Sequence, residues 1–484
     1  MREYVSVDGA ENTRPAGEVP ARLLLLVVAL AVGVIVMNGS MTNVAIPTIR
    51  ADFGATEGQT GWVITGYLLV FAVGIPLYGR LADVYSLKKT FALGLVGFAA
   101  GSLVCALAPS LPVLVAGRMV QAAGGAAIPA LSSTAVAKLL PPGERGASLG
   151  LIVSSVGVGG AIGPVVGGVV VGLLGWHALF YGTLLLGGIL LPAALRVLPD
   201  TVSEKSSASF DLPGGALLAL AAGLSLLGVT EGQVAGFSAE ISWVSFVAAT
   251  LFAFLFAWRI NTAPEPFVSP ALFKNGAYLA CAAVGFFGML ANLTSLVLVP
   301  LMLSEVNGLG AEAVGLALAP GAVIIALISP AAGRFSDRVG TRPPIVAGLL
   351  VMLLSLFALS AFGAGASPLF VAAGILGVGT GFALFTSPNT NATAATLPRG
   401  EIGVGLGLYQ MLFFLGAGAG PALVGAFLTA RRGSETALNP FYNLYAAPFS
   451  DAFLLLALCA LAGLFAGALG RSPAGADRKA SDSV

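Results

Sequence analysis

Fourteen separate stretches of this chain are each apolar for about the twenty residues a helix needs to cross roughly 30 Å of hydrocarbon. They are predicted at 22–46, 60–80, 89–109, 112–138, 147–173, 176–196, 212–230, 241–260, 276–303, 312–332, 343–363, 368–397, 401–430 and 447–470. Lipid offers no hydrogen bonds to an open strand edge, and the alternation of a transmembrane barrel is missing, so an all-α polytopic membrane protein follows. At 57% hydrophobic and 9% charged, the 484 residues could not cover themselves as a soluble body, which carries roughly a quarter charged residues. Residues 1–20 are polar and hold Glu3, Asp8, Glu11 and Glu18, a poor start for a signal peptide, so the first run reads as a retained span.

An even number of spans puts both termini on one side, and the basic residues choose it. With the N-terminus inside, the outer loops hold only Arg50, Arg431 and Arg432, and Arg118 alone lies well inside a span. All the remaining lysines and arginines fall on the inner side, so both ends are expected in the cytoplasm.

The chain also contains two diverged copies of one unit. Gly79-Arg80-Leu81-Ala82-Asp83 through Lys88 recurs as Gly333-Arg334-Phe335-Ser336-Asp337 through Arg342, offset by 254. Leu140 through Gly146 recurs as Leu397 through Gly403, offset by 257, and the same offset pairs Gly163-Pro164 with Gly420-Pro421. Parallel repeats about an axis normal to the membrane, with the site between them, are a transporter plan. The expected organisation is a tail (1–21), a six-helix bundle (22–196), a linker (197–211), an inserted helix pair (212–260), a second linker (261–275), a six-helix bundle (276–470) and a tail (471–484).

These residues resemble the major facilitator superfamily, in its fourteen-helix drug–proton antiporter branch, over roughly residues 22–470. Gly79 to Asp83 with Lys88 and Lys89 looks like the family's loop 2–3 motif, with Ser86 where glycine is usual. Arg118, Gln121, Gly124 and Gly125 resemble its fourth-helix motif. Gly159, Gly163, Pro164, Gly167 and Gly168 resemble the fifth-helix antiporter motif, which implies export. Asn38 through Pro47, then Trp62 and Tyr78-Gly79, are most like the Gram-positive tetracycline exporters. The resemblance implies a major facilitator fold, two six-helix bundles plus two inserted helices, acting as a monomer in a bacterial plasma membrane. It implies proton antiport, with the proton gradient as energy source and no cofactor.

Chemistry then attaches to particular residues. Asp83 can accept hydrogen bonds from a nearby helix end or pair with Arg80, and such a cluster can lock an inner gate. Gly79, Arg80, Asp83, Lys88 and Lys89, with Gly333, Arg334, Asp337 and Arg342 in the second copy, are the expected gate. Arg118 would cost about 2.5–3.5 kcal/mol on insertion scales, so it should face the bundle interior, with Gln121 one turn away. Asp83, Arg118 and Gln121 are the candidates for proton coupling or substrate contact, with Glu231 a distant third. Gly159, Gly163 and Gly167 line one helix face, which Gly160 and Gly168 would widen into a bare strip for close, sliding contact. Asn38, Thr42, Asn292, Thr386, Asn389, Tyr409 and Gln410 are uncharged hydrogen-bonding groups in apolar walls, the expected substrate cavity; each taken singly fits an interhelical bond as well.

No carboxylate lies in the middle of a span. Asn38 stands where many relatives carry aspartate, and Gly160 and Ala417 where the tetracycline exporters carry acids. A buried cation needs a counter-charge, so the expected substrate is a neutral, zwitterionic or weakly acidic polycycle, of tetracycline or mitomycin type. The alternatives are a lipid or endogenous metabolite carrier. An enzyme is disfavoured: Gly146-Ala147-Ser148-Leu149-Gly150 matches a serine-hydrolase elbow without the preceding strand, and no phosphate loop is present. A single histidine, His177, excludes a multi-histidine metal site, Cys105, Cys281 and Cys459 read as core residues, and a net charge of +1 gives no sign of a nucleic-acid partner. The Ala, Gly, Val and Leu bias suggests a GC-rich bacterial genome and self-resistance in an antibiotic producer.

Overall fold

The structure, a computed structural model, describes residues 21–200, 210–434 and 436–469. Most of the expected tails and the polar linker segment 201–209 lie outside the described residues. Fourteen described helices are long and apolar enough to cross a membrane: spans 1 (Ala21–Phe53), 2 (Gly58–Val84), 3 (Leu87–Ala106), 4 (Leu111–Leu139), 5 (Pro142–Leu174), 6 (His177–Val197), 7 (Leu212–Gln233), 8 (Glu240–Thr262), 9 (Gly276–Glu305), 10 (Glu312–Val339), 11 (Arg342–Gly363), 12 (Pro368–Ala395), 13 (Arg399–Arg431) and 14 (Ala447–Ala468). Several outrun the apolar runs that announce them. Span 1 continues through Pro47 to Phe53, so Arg50 sits in its last turn rather than in a loop, and Arg431 likewise ends span 13. Hydropathy reports where hydrocarbon stops, but a helix keeps its own backbone bonds beyond that level and stops only at a local signal.

Those signals are visible. Thr56 and Gln59 form a capping box before span 2, with Gln59 N–H donating to the Thr56 hydroxyl at 3.3 Å and Thr56 N–H donating to Gln59 Oε1 at 2.9 Å. Asn275 Oδ1 accepts from Ala277 and Tyr278 N–H at the start of span 9. Spans 5 and 10 end on Gly175 and Gly340, whose φ of 80° and 88° suit glycine.

Spans 1–6 share one core, built on Val28, Phe71, Phe91, Leu131, Ile152 and Leu190. Spans 9–14 share another, built on Leu298, Ala317, Leu349, Phe385, Val424 and Phe453. We call these the two halves. Spans 7 and 8 join neither core: Leu218, Ala222, Phe256 and Ile260 pack with Tyr278, Val404 and Leu408 of the second half and against Val73 and Leu77 of the first. The pair therefore covers the seam where span 2 meets span 13. Asp211 fastens it, accepting from Gly214 N–H at 3.2 Å, from Arg259 Nη2 at 3.0 Å and from Phe267 N–H at 3.1 Å. One carboxylate thus caps span 7, pairs with span 8 and holds the chain that leads to span 9.

Candidate functional site: a reciprocal gate and a buried arginine

The two copies of the loop motif meet the opposite halves, each in the same way. Asp83, at the end of span 2, accepts from the backbone N–H groups of Gly403 at 3.0 Å and Val404 at 2.7 Å, at the start of span 13. Asp337, at the end of span 10, accepts from Gly146 and Ala147 N–H, both at 2.9 Å, at the start of span 5. Gly403 and Val404 carry N–H groups left unpaired at the start of their helix, so Asp83 completes it, whereas Gly146 and Ala147 lie one turn inside span 5, where Asp337 meets the positive end of the helix dipole and shares those donors. The offsets of 254 and 257 read from the sequence are the ones that map one lock onto the other. Asp83 pairs with Lys138 at 2.7 Å rather than with Arg80. Lys138 rides on span 4 beside it, whereas Arg80 is buried with its Nε unbonded. Among the described residues no lysine pairs with Asp337: the offset of 257 puts Ala395 where Lys138 stands.

Glycine makes both crossings close enough for these bonds. A Cβ on Gly79 would lie 2.2 Å from the Gly403 carbonyl oxygen, and one on Gly333 would lie 1.9 Å from that of Gly146. Ser387 donates to the Gly146 carbonyl at 2.7 Å, and Gln410 donates to the Ser133 hydroxyl at 2.9 Å and to the Pro129 carbonyl at 3.2 Å. Gln410, expected in the substrate cavity, thus bonds across the halves, because span 13 turns it toward span 4. Farther in, Ser154 donates to the Ala326 carbonyl. All of these bonds lie on the side of the bundle that carries the basic loops, so the molecule is closed at its basic end. Lys88 is half-buried, and Lys89, Arg334 and Arg342 are exposed. Arg342 donates to the Ala468 carbonyl within its own half, and Ser86 donates to Asp200.

The glycine face of span 5 has a different partner. Cβ atoms on Gly159 and Gly167 would lie 2.5 Å from the Gly33 carbonyl oxygen and 3.0 Å from Met41 Cα, so this face packs on span 1 of its own half. Gly416 and Gly420 repeat the arrangement against Phe286 and Leu290 of span 9. Gly160 and Gly168 meet nothing within 4 Å and do not widen the strip. They point elsewhere because each stands one residue, about 100° around the helix, from the packed Gly159 and Gly167. Pro164 is exposed. Gly159→Ala is expected to lower stability by about 1–3 kcal/mol through overpacking. Gly168→Ala should be neutral or slightly stabilising. Thermal unfolding of the two purified variants in detergent checks the contrast.

Arg118 is 2% exposed. Its Nη1 donates to Asn38 Oδ1 at 2.7 Å and to Gln121 Oε1, its Nε to the Val63 carbonyl at 3.4 Å, and its guanidinium lies 4.0 Å from the Tyr67 ring centroid. Gln121 in turn donates to the Ser102 hydroxyl at 2.7 Å. Gly101 permits that approach, since a Cβ there would lie 2.2 Å from Gln121 N. Arg118, Gln121 and Asn38 thus converge as expected of an interior charge, while Tyr67 and Ser102 had no signal in the sequence beyond their place in apolar runs.

Thr42, Thr386, Asn389 and Tyr409 are engaged within the protein. Thr42 donates to the Asn38 carbonyl and Thr386 to that of Phe382, each in its own helix. Asn389 donates to the Cys281 carbonyl at 2.9 Å and to the Tyr409 hydroxyl at 3.1 Å. Asn292 is buried in span 9. A row of rings crosses between the halves above the gate: Tyr67 stacks on Phe71, Phe71 meets Phe414 edge-on at 5.3 Å, and Phe413 links Phe414 to Tyr409. Glu231 lies near the end of span 7.

Comparison with known proteins agrees with this architecture. The Major Facilitator Superfamily model matches residues 28–421. The chain is 30% identical over 409 residues to the multidrug resistance protein Stp of Mycobacterium tuberculosis, covering 84% of this chain and 76% of that protein. It is 28% identical to the tetracenomycin C resistance and export protein of Streptomyces glaucescens, covering 84% and 76%, and 28% identical to the riboflavin transporter RibZ of Clostridioides difficile, covering 84% and 88%. Among solved structures, the human organic anion transporter MFSD10 superposes with a TM-score of 0.69 over 94% of this chain and all of that one, at 16% identity, a likeness of fold. Two repeated halves joined by reciprocal locks, a family model spanning most of the chain and relatives of this similarity lead to one assignment: this protein is a transporter, not an enzyme, and belongs to the major facilitator superfamily.

Proposed function

We propose that this protein exports a small polycyclic drug-like molecule, neutral, zwitterionic or weakly acidic, from a bacterial cell by proton antiport with alternating access. The basic end is the cytoplasmic one on this reading, so the closed gate belongs to the state that releases cargo outward. One observation carries it: Asp83 and Asp337 each bond the helix N-terminus of the other half, an arrangement that rocking the halves apart must break at both places together. Asp83 is the acid best placed to couple this motion to a proton. When the lock opens, its carboxylate loses two backbone donors, and taking up a proton offsets that loss. The row of aromatic rings between the halves suits a planar cargo, and the relatives named for multidrug and tetracenomycin resistance support the same class.

Expression in an efflux-deficient bacterium tests the proposal. Resistance to tetracycline-like polycycles should appear, should vanish with a proton uncoupler, and should not extend to permanent dications. Resistance that survives uncoupling would remove antiport. A second reading, an endogenous metabolite carrier, is favoured by the similarity to a riboflavin transporter; resistance to nothing, together with riboflavin movement in vesicles, would replace the first reading with it.

A further inference from the structure

Arg118 holds a charge that the chain does not balance. An arginine side chain keeps its proton in proteins, and a buried charge is normally paired. Span 1 faces it with the Asn38 amide, span 2 with the Val63 carbonyl and Tyr67, span 4 with Gln121, and span 6 with Phe180, 6.0 Å from the guanidinium. Among the described residues no Asp or Glu pairs with it or bonds it. Neutral oxygens meet some of its donors but leave the net charge in place.

Two of the side chains that touch the guanidinium, Asn38 and Tyr67, each carry a further polar atom without a partner. Asn38 Nδ2 and the Tyr67 hydroxyl are buried and bonded to nothing, on residues 0% and 6% exposed. Leaving such groups unbonded costs about 1–3 kcal/mol each. The amide and the hydroxyl lack an acceptor and the guanidinium lacks a counter-charge, and one anion would supply both.

We infer that Arg118, Asn38 and Tyr67 form a binding site for a monovalent anion, either the carboxylate or enolate of the cargo or a small inorganic anion such as chloride. The guanidinium supplies charge and fixed donors, and the amide and hydroxyl supply the remaining hydrogen bonds. The inference rests on the export reading only where the anion belongs to the cargo, so it is tested by binding and not by transport.

The experiment follows thermal unfolding of the purified full chain in detergent. Chloride or benzoate is exchanged for gluconate, which is too bulky and hydrated for an enclosed site, at constant sodium. Wild type should show a saturable rise of the unfolding midpoint, on the order of 2–3 °C. A rise with benzoate assigns the site to organic carboxylates, and a rise with chloride assigns it to inorganic anions. Arg118→Gln should lose the response, and Tyr67→Phe should need a higher anion concentration. Asn38→Asp places a carboxylate 2.7 Å from the guanidinium; it should raise the midpoint in gluconate and abolish the anion response, which keeps the test decisive if Arg118→Gln does not fold. No response to either anion in wild type, or an equal response in Asn38→Asp, would overturn the site. Anion binding without drug export would sink the export reading alone.

Discussion

Asp83→Asn is expected to abolish export, leaving less than a tenth of wild-type activity in a protein that still folds and inserts. The asparagine side chain keeps one acceptor oxygen, so one of the two backbone bonds to Gly403 and Val404 is lost and the other loses its charge. Lys138 is left beside a neutral group. Hydrogen bonds to charged groups contribute about 1.5–3 kcal/mol each. A change of about 3 kcal/mol moves the ratio of closed to open basic end by roughly a hundredfold. Spin labels on spans 2 and 13 at the basic end should report longer distances in the variant. Asp337→Asn should act in the same direction but more weakly, since Asp337 is half-exposed and has no lysine partner among the described residues. Full export by Asp83→Asn, or unchanged distances, would remove the carboxylate from the gate.

Gly333→Ala should reach the same end by sterics alone. Its methyl group would lie 1.9 Å from the Gly146 carbonyl oxygen, a backbone atom that no side-chain rotation can move. The basic end then cannot close while span 10 keeps its place, and outward release stops. Once the halves separate, nothing crowds the methyl, so expression and folding should survive. Gly143→Ala is the control. It lies at the start of span 5, meets nothing within 4 Å, and should transport normally. The measurement is drug efflux from loaded vesicles beside the same label distances. Equal activity in Gly333→Ala and Gly143→Ala would mean that spans 5 and 10 never approach this closely during transport. Agreement between the electrostatic and the steric variant would identify closure of the basic end as the step both disturb.

The depth of the sequence reading differs from residue to residue. Arg118, Gln121 and Asn38 were legible because charge and amide groups in apolar runs have few stable places, and burial inside a bundle is the commonest. Asp83 and Asp337 were legible because a polar loop repeated at matched spacing is hard to produce by chance. That Gln410 bonds Ser133 and Pro129 across the halves was not legible, since its run is apolar on every side and periodicity cannot say which of several neighbours span 13 meets. Gly160 and Gly168 were assigned to a packing strip on spacing of eight, but the strip that packs is set by where span 1 lies. Lys138 escaped notice because one more basic residue in an inner loop is what the orientation rule already predicts.

What the chain alone determined is the number of spans, the side on which its basic loops gather and the twofold repetition. These follow from transfer free energies and local spacing, quantities each residue carries wherever it ends up. Only the tertiary structure decided that Asp83 takes Lys138 and the start of span 13, that spans 7 and 8 cover one seam, and that among the described residues no carboxylate bonds Arg118. Such pairings depend on which surfaces meet across hundreds of residues, and the energies that select them exist only after the helices have packed.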